Sequence, residues 1–333
     1  MGIGRDRPRA GTTGTLLSTY PAVNSRATGE ARALLELVSA VSGEHILSGQ
    51  HDTPRELSLY SDEAARITDS YPALWGQDFG FCENGDMDGI NFRQDVIDEA
   101  MKQHAAGSKI ELIWHAVRPT EDEPVTFLDS ICNGMLPQAE WDDLLTEGTD
   151  IHARWIRQVD VIAALLTQLR DADIPVLWRP YHEMNGSWFW WGGREGARGY
   201  AALYRRLYER FVSVHHLDNL IWVWNANAPR ADAAAHAGFY PGHDVVDILA
   251  ANDYRQSHHD ELVELVELVE LADSRPIALG EVGVLPTPEI LESHCQWAWF
   301  MTWTTFLSQE NDADEVRRLF ASPRVLHRGE LGQ

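Results

Sequence analysis

Positive charge is scarce in this sequence: 27 Lys and Arg stand against 51 Asp and Glu, a formal net charge of −24. No basic stripe interrupts the acidic background, so the phosphate-neutralising contacts that dominate nucleic-acid binding have no source, and no nucleic-acid partner is expected. An uncharged substrate feels no such repulsion, and the acidic surface then serves solubility. Cysteine is nearly absent. The three present, Cys82, Cys132 and Cys295, are widely spaced and odd in number, which rules out a disulfide framework and a CxxC metal pattern; each is expected to be a small buried hydrophobe. No apolar run approaches the roughly 20 residues of a membrane span, so no membrane partner is expected either. Met1 to Gly14 carries charge but no hydrophobic h-region, which reads as a cytoplasmic chain, or a secreted one from which a signal peptide has been cut.

What is present points to a large packed domain. Aromatic residues make up 10% of the chain and include 13 Trp, whereas a disordered chain is poor in them. The 333 residues suit one (β/α)8 barrel of roughly 250 residues plus long loops, with two smaller domains as the alternative. Short β-branched or aromatic runs recur, each followed by a helical pattern, which argues for a parallel sheet with crossover helices. Eight such runs are present: Ile46 to Gln50, Ala73 to Phe79, Ile110 to Ala116, Pro175 to Tyr181, Leu220 to Asn225, Val245 to Ala251, Pro276 to Val282 and Gln296 to Trp303. The expectation is therefore a single α/β domain, a TIM barrel spanning 29–333 with extended loops on its catalytic face, after a poorly ordered N-terminal extension of 1–28. A monomer is expected.

The clearest helix runs from Asp150 to Asp171, with an apolar stripe from Ile151 to Leu166 that should pack outside the barrel. Glu261 to Leu271, "ELVELVELVEL", reads as a helix whose Glu residues face water and carry no chemistry. His258 and His259, at the start of that helix, read as surface residues. The long segment His115 to Thr149 follows the third strand. An extended loop there lies on the catalytic face and should wall a cleft.

One stretch departs from core-like composition. His182 to Gly193 reads "HEMNGSWFWWGG", setting Glu183 beside Trp188, Phe189, Trp190 and Trp191; a buried carboxylate without a partner is strongly penalised, so the stretch reads as a site. Two of these four aromatics are expected to be ordinary packing. Glu183 ends the fourth strand and Glu281 the seventh, where a barrel gathers its reacting groups. Two carboxylates facing one cavity suit glycosidic cleavage, one protonating the leaving oxygen and the other attacking or stabilising the anomeric carbon. Taken alone the pair is weak evidence, because a chain this acidic ends many strands with carboxylates by chance. His115 and His182 also fall at strand ends facing the same cleft. On the eighth strand, alternation places Trp297, Trp299, Met301 and Trp303 on one face, with Trp303 at the site end.

The neighbourhood of the pair changes its weight. "RPYHEMNGSWFWWGG" closely resembles the acid/base motif of glycoside hydrolase family 26, a group dominated by endo-β-1,4-mannanases with retaining (β/α)8 barrels. The resemblance continues through "LSGQHD" (Leu47 to Asp52), "IWHAVRP" (Ile113 to Pro119), "GFYPGHDVVDILAANDY" (Gly238 to Tyr254), "PIALGEVG" (Pro276 to Gly283) and "WAWFMTW" (Trp297 to Trp303), nearly the whole chain. It implies Glu183 as acid/base and Glu281 as nucleophile, with His182 where many relatives of the clan carry Asn. It further implies that His115 and Tyr254 lie near the cleaved sugar, Tyr254 hydrogen-bonding the nucleophile, and that Trp188 and Trp303 line the subsites on either side of the scissile bond. Gln77, before "DFGF", departs from the pattern and is expected to alter the wall beside the site. The implied reaction is retaining hydrolysis of β-1,4-mannosidic bonds in mannan, glucomannan or manno-oligosaccharides, with β-1,3-xylan or mixed-linkage β-glucan as alternatives within the family.

Two rivals come from other classes. A zincin-type hydrolase needs HExxH on a helix, whereas His182-Glu183-Met184-Asn185-Gly186 ends a strand, so neither a metal nor a cofactor is expected. A non-catalytic carbohydrate-binding barrel would keep the tryptophans and lose a carboxylate, but both glutamates are present.

Overall fold

The computed structural model describes residues 20–81, 89–122, 125–228, 233–254, 266–293 and 296–331. Eight strands, β1 (Ile46–His51), β2 (Leu74–Asp78), β3 (Lys109–Trp114), β4 (Val176–Pro180), β5 (Leu220–Asn227), β6 (Ile248–Asp253), β7 (Ile277–Val282) and β8 (Trp297–Trp303), pair in parallel and in sequence order, and β8 closes on β1. The fold is a (β/α)8 barrel. A ninth, two-residue strand, β9 (Val325–Leu326), pairs with Ile46 and Leu47, filling the part of the β1 edge that lies before β2 joins at Gly49. So short a segment has no periodicity of its own and leaves no trace in the sequence pattern.

The helices described are α1 (Gly29–Val41), α2 (Leu59–Thr68), α3 (Arg93–Ala105), α4 (Phe127–Ser130), α5 (Gln138–Leu144), α6 (Asp150–Asp171), α7 (Tyr200–Glu209), α8 (Val266–Ala272), α9 (Pro288–Ser293), α10 (Phe306–Gln309) and α11 (Ala313–Phe320). α6 has the bounds its apolar spacing predicts. Thr149 caps it by accepting the amide of His152, and Trp155, Val159, Ile162, Ala163 and Leu166 are buried against the outside of the barrel.

The strands are near-continuous apolar runs because both faces are covered. Residues pointing outward, such as Trp75, Leu112, Trp178, Trp222 and Leu279, join one cluster with the helices. Those pointing inward, Leu47, Leu74, Leu177, Ile221, Ile248 and Ala278 among them, join a second cluster closed from below by Leu34, Leu35 and Val38 of α1. The barrel is thus a packed core and not a pore.

Three sequence readings need correcting. Trp297 does not share a face with Trp299 and Met301: it packs in the outer cluster with Phe300, while Trp299 and Met301 fill the interior. The cause is a register shift of β8 against β7, where Ile277 pairs with Trp297 but Leu279 with Phe300, so one extra residue breaks the alternation. Glu267 does not simply face water. It accepts the amides of His236 and Ala237, tying α8 to the turn at Ala237–Phe239. Cys132 is half-buried against the core, because it sits in the irregular segment after α4 and not in a strand; Cys82, Cys295, His258 and His259 lie outside the described residues.

Candidate active site

The interior changes character toward the C-terminal ends of the strands. Apolar residues give way to Asp78 on β2, Glu111 on β3, Arg179 on β4, Asn225 and Asn227 on β5, Asn252 on β6 and Glu281 on β7, all buried. Above them opens a cavity of about 430 Å3, and His115, His182, Glu183, Tyr254, Glu281 and Trp303 all line it. Of the catalytic and sugar-binding residues that the resemblance implies, Trp188 alone is not in the cavity wall; its indole instead donates to Glu183 at 2.8 Å.

Glu183 reaches the cavity through a strained turn. After β4, Tyr181 and Glu183 both adopt left-handed backbone angles, φ +49° and +56°, a conformation that costs a non-glycine residue roughly 1–3 kcal/mol. The Glu183 amide donates to Asn225 O at 2.8 Å, locking the turn onto β5. Its carboxyl is held by three donors: Asn227 Nδ2 at 2.8 Å and Asn252 Nδ2 at 2.9 Å on Oε1, and Trp188 Nε1 on Oε2. Gly186 makes the last contact possible, since the Trp188 ring lies where its Cβ would be, 2.1 Å away. Burial, with the charge of Glu281 second, pushes the Glu183 carboxyl above its ordinary range, and the three hydrogen bonds oppose that rise without cancelling it.

Glu281 owes its inward direction to a bulge. Along β7, Ile277 and Leu279 pack outward and Ala278 inward, so unbroken alternation would send Glu281 out. Between β6 and β7 the pairing passes from Ala251–Leu279 to Asn252–Glu281, leaving Gly280 as an extra residue. The bulge reverses the parity: Glu281 turns into the cavity and Val282 returns to the outer cluster. Gly280 is required there because a Cβ would stand 1.6 Å from Asn225 Oδ1. Asn225 in turn donates to Asn252 at 2.8 Å, and Asn252 to Glu183, so one glycine supports the placement of both carboxylates. Gly280→Ala is expected to cost several kcal/mol, as overpacking against a buried polar network does, and to reduce activity at temperatures where the fold persists; denaturation midpoints and turnover measured together check this.

Around Glu281 the charges are balanced. Arg179 Nη1 donates to Oε1 at 2.8 Å and the Tyr254 hydroxyl to Oε2 at 2.6 Å. Burial, followed by the charges of Glu281 and Glu183, drives the Tyr254 phenol well above its usual range, so it stays protonated and donating. Burial would lower the Arg179 guanidinium, but Glu111 and Glu281 outweigh it and hold the cation. His182 Nε2 lies 3.7 Å from Glu281 Oε1; burial first, then the charges of His115, Arg179 and His51, keep His182 far below its usual range and hence neutral. His115 gives Nδ1 to Asp78 at 2.7 Å. Burial of Asp78 alone would raise its carboxyl, but His115 and the amides of His115 and Gly80 hold it below its ordinary range.

Aromatic rings complete the walls. Trp303 stacks on His51 with centroids 4.2 Å apart. Phe81, Phe127 and Phe189 form an opposite apolar wall around His115. Phe127 comes from the long segment after β3, which does wall the cleft but also carries α4 and α5 and is pinned by hydrogen bonds from Gly134 and Leu136 to Trp188 O and Trp190 O. Trp190 and Trp191 are fully buried, donating to Ala116 O and His182 O, and line no part of the cavity. Gln77 is buried below the site, its side-chain amide donating to Thr53 O and Leu57 O and its Oε1 accepting the Asp78 amide, so it meets the wall through Thr53 and Asp78.

Sequence reasoning missed Asp78, Arg179 and the asparagines. Arg179, Asn225 and Asn252 each sit two residues beyond an inward apolar one, namely Leu177, Val223 and Ala250, so polar residues at inward parity near strand ends were the available signal. The apolar wall residues Phe81 and Phe127, by contrast, lie beyond strands and carry no such mark.

The sequence matches known proteins over almost its full length. Residues 23–330 match the family described as Glycosyl hydrolase family 26. A mannan endo-1,4-beta-mannosidase of Thermothelomyces thermophilus is 31% identical over 92% of this chain, which spans 62% of that relative's length; against two mannan endo-1,4-beta-mannosidases of Piromyces sp the chain spans 56% and 50%. Among solved structures, GH26A from Muricauda sp. is 39% identical, with a TM-score of 0.88 over 93% of this chain and 100% of that one. A beta-mannanase from a symbiotic protist of the termite Reticulitermes speratus, complexed with gluco-manno-oligosaccharide, is 25% identical, with a TM-score of 0.80 over 94% and 97% of the two chains. With strand-end carboxylates in one cavity and a family match from Val23 to Glu330, the chain belongs to glycosyl hydrolase family 26.

Proposed function

We propose that the protein is a retaining glycoside hydrolase that cleaves β-1,4-mannosidic bonds of mannan, glucomannan or manno-oligosaccharides by double displacement. The observation that carries this reading is that Glu183 and Glu281, 98 positions apart by subtraction of their numbers, open into the same cavity with opposite surroundings. Glu281 sits between a guanidinium and a phenol that stabilise its charge; Glu183 is raised by burial. A carboxyl raised by burial, facing one whose charge is partnered by a guanidinium and a phenol, suits the division into acid and nucleophile.

In the first step the Glu281 carboxylate attacks the anomeric carbon while the glycosidic C–O bond breaks, and Glu183 passes its proton to the departing oxygen. Oε1 of Glu183 already accepts two N–H groups and Oε2 only one, so the proton is held at the vacant position on Oε2. Once Glu281 is an ester its charge is gone, and one cause of the elevated Glu183 affinity goes with it. The three donors then favour the Glu183 carboxylate, which takes a proton from the incoming water as that water's oxygen attacks the anomeric carbon and releases Glu281. Trp303 and the phenylalanine wall cover the apolar faces of the pyranose, while His115 and His182 address its hydroxyls.

The test is incubation with mannan, β-1,3-xylan and mixed-linkage glucan, following new reducing ends and the first-formed anomer by NMR. New reducing ends from mannan with the β-anomer first are expected. Cleavage of xylan or glucan in place of mannan moves the substrate within the family, an α-anomer overturns retention, and binding without cleavage marks a non-catalytic barrel.

A further inference from the structure

One buried carboxyl has no role in the steps above; burial raises it, and the guanidinium of Arg179 opposes that rise and favours its charged form. Glu111, on β3, is fully buried in the barrel interior and lines no part of the cavity. Its parity places it inward, in register with Leu177 and two residue pairs below Ile113–Arg179. Among the described residues its one hydrogen-bond partner is Arg179, whose Nε donates to Oε1. Arg179 is itself without exposure and reaches in the other direction to Glu281, Nη1 to Oε1 at 2.8 Å. One guanidinium therefore joins two carboxylates, the outer one in the cavity and the inner one beneath it.

A one-to-one Arg179–Glu281 pair in this dry setting would hold the Glu281 carboxylate strongly, because an opposite charge within about 4–6 Å lowers a carboxyl by roughly 1–3 pH units, and a carboxylate held in that way is a poorer nucleophile. A second anion on the far edge of the guanidinium shares its charge and loosens that hold.

We propose that Glu111 is a positioning residue for Glu281, acting through Arg179: it fixes the guanidinium in the plane that meets Glu281 and divides its charge so that the hold on Glu281 stays loose enough for nucleophilic attack. This rests on Glu281 being the nucleophile. The other groups facing Glu281 are His182 beyond β4, Tyr254 beyond β6 and Glu183 across the cavity, and His51 of β1 also senses the Arg179 charge; among the described residues none of them is hydrogen-bonded to Glu111.

Glu111→Gln keeps an acceptor for Arg179 Nε and removes the charge. The pH dependence of kcat/KM on a dinitrophenyl β-mannoside, whose acid limb reports the free-enzyme nucleophile, is expected to keep its shape while that limb moves to lower pH by about one unit, with the plateau roughly tenfold lower. Glu111→Asp, which retains the charge at a longer reach, should fall between this variant and the parent, and it carries the test if the Gln variant does not fold. An acid limb that stays in place or moves upward in whichever variant folds overturns the proposal, even where the thermal midpoint drops. Glu281→Ala run in parallel separates the two levels: if that variant turns over normally, the nucleophile assignment fails; if it is inactive and the Glu111 limb does not move, only the role of Glu111 fails.

Discussion

Glu281→Ala is expected to lose turnover on mannan and on aryl β-mannosides alike by roughly four orders of magnitude or more, the scale seen when a member of a covalent catalytic unit is deleted. No leaving group compensates, because the bond from enzyme to anomeric carbon is absent whatever departs. The fold should survive: Arg179 keeps Glu111 as a one-to-one partner, so no buried charge is orphaned, in contrast to the strongly destabilising case in which removing one partner of a pair strands the other. Azide fits the space left by the side chain and attacks from the side Glu281 occupied. Rescue should therefore give the α-mannosyl azide. Recovery of a β-azide, or turnover near the parent level without azide, would remove Glu281 from the nucleophile role.

Which features the sequence makes legible follows from periodicity and its interruptions. The eight strands and α6 can be read because burial on both faces, or on one stripe, imposes apolar spacing over many residues. β6 is displaced from its expected bounds: Val245 and Val246 are buried and apolar but unpaired, held before the strand while Asp247 accepts the amides of Val23 and Trp222, and the strand runs on through the polar Asn252 and Asp253. Apolar character marks burial, not pairing. The carboxylates are legible for the same reason in reverse, as polar residues at strand ends where the pattern demands apolar ones. Their direction is not legible, since unbroken alternation sends Glu281 outward and only the bulge at Gly280 brings it in. The partners of Glu183 are also hidden: Asn227 and Asn252 belong to strands whose ends alternation alone does not place, and Trp188, expected to line a sugar subsite, is by its geometry a donor to the carboxyl.

Glu183→Ala should divide substrates by leaving group. On mannan, where the departing hydroxyl needs a proton, kcat/KM is expected to fall by about 10²–10⁴, the usual contribution of a positioned general acid. On a dinitrophenyl β-mannoside kcat/KM should change little, because that phenolate leaves unprotonated. kcat on the same substrate should fall, however, since the second step has lost its base, and a burst of phenolate equal to the enzyme present should precede slow turnover. The pH profile carries the same assignment. As the proposed acid, Glu183 is to act protonated in the first step, and its carboxyl lies above the usual range, chiefly through burial, so activity on mannan should be present below its pKa and lost as pH rises through it; the alanine variant should lose that basic limb. Azide attacks the glycosyl ester from the face Glu183 vacates and should restore kcat with the β-mannosyl azide as product, the opposite anomer to that from Glu281→Ala. Equal losses on both substrates, an intact basic limb or the α-azide would each reject Glu183 as the group that gives the proton and takes it back.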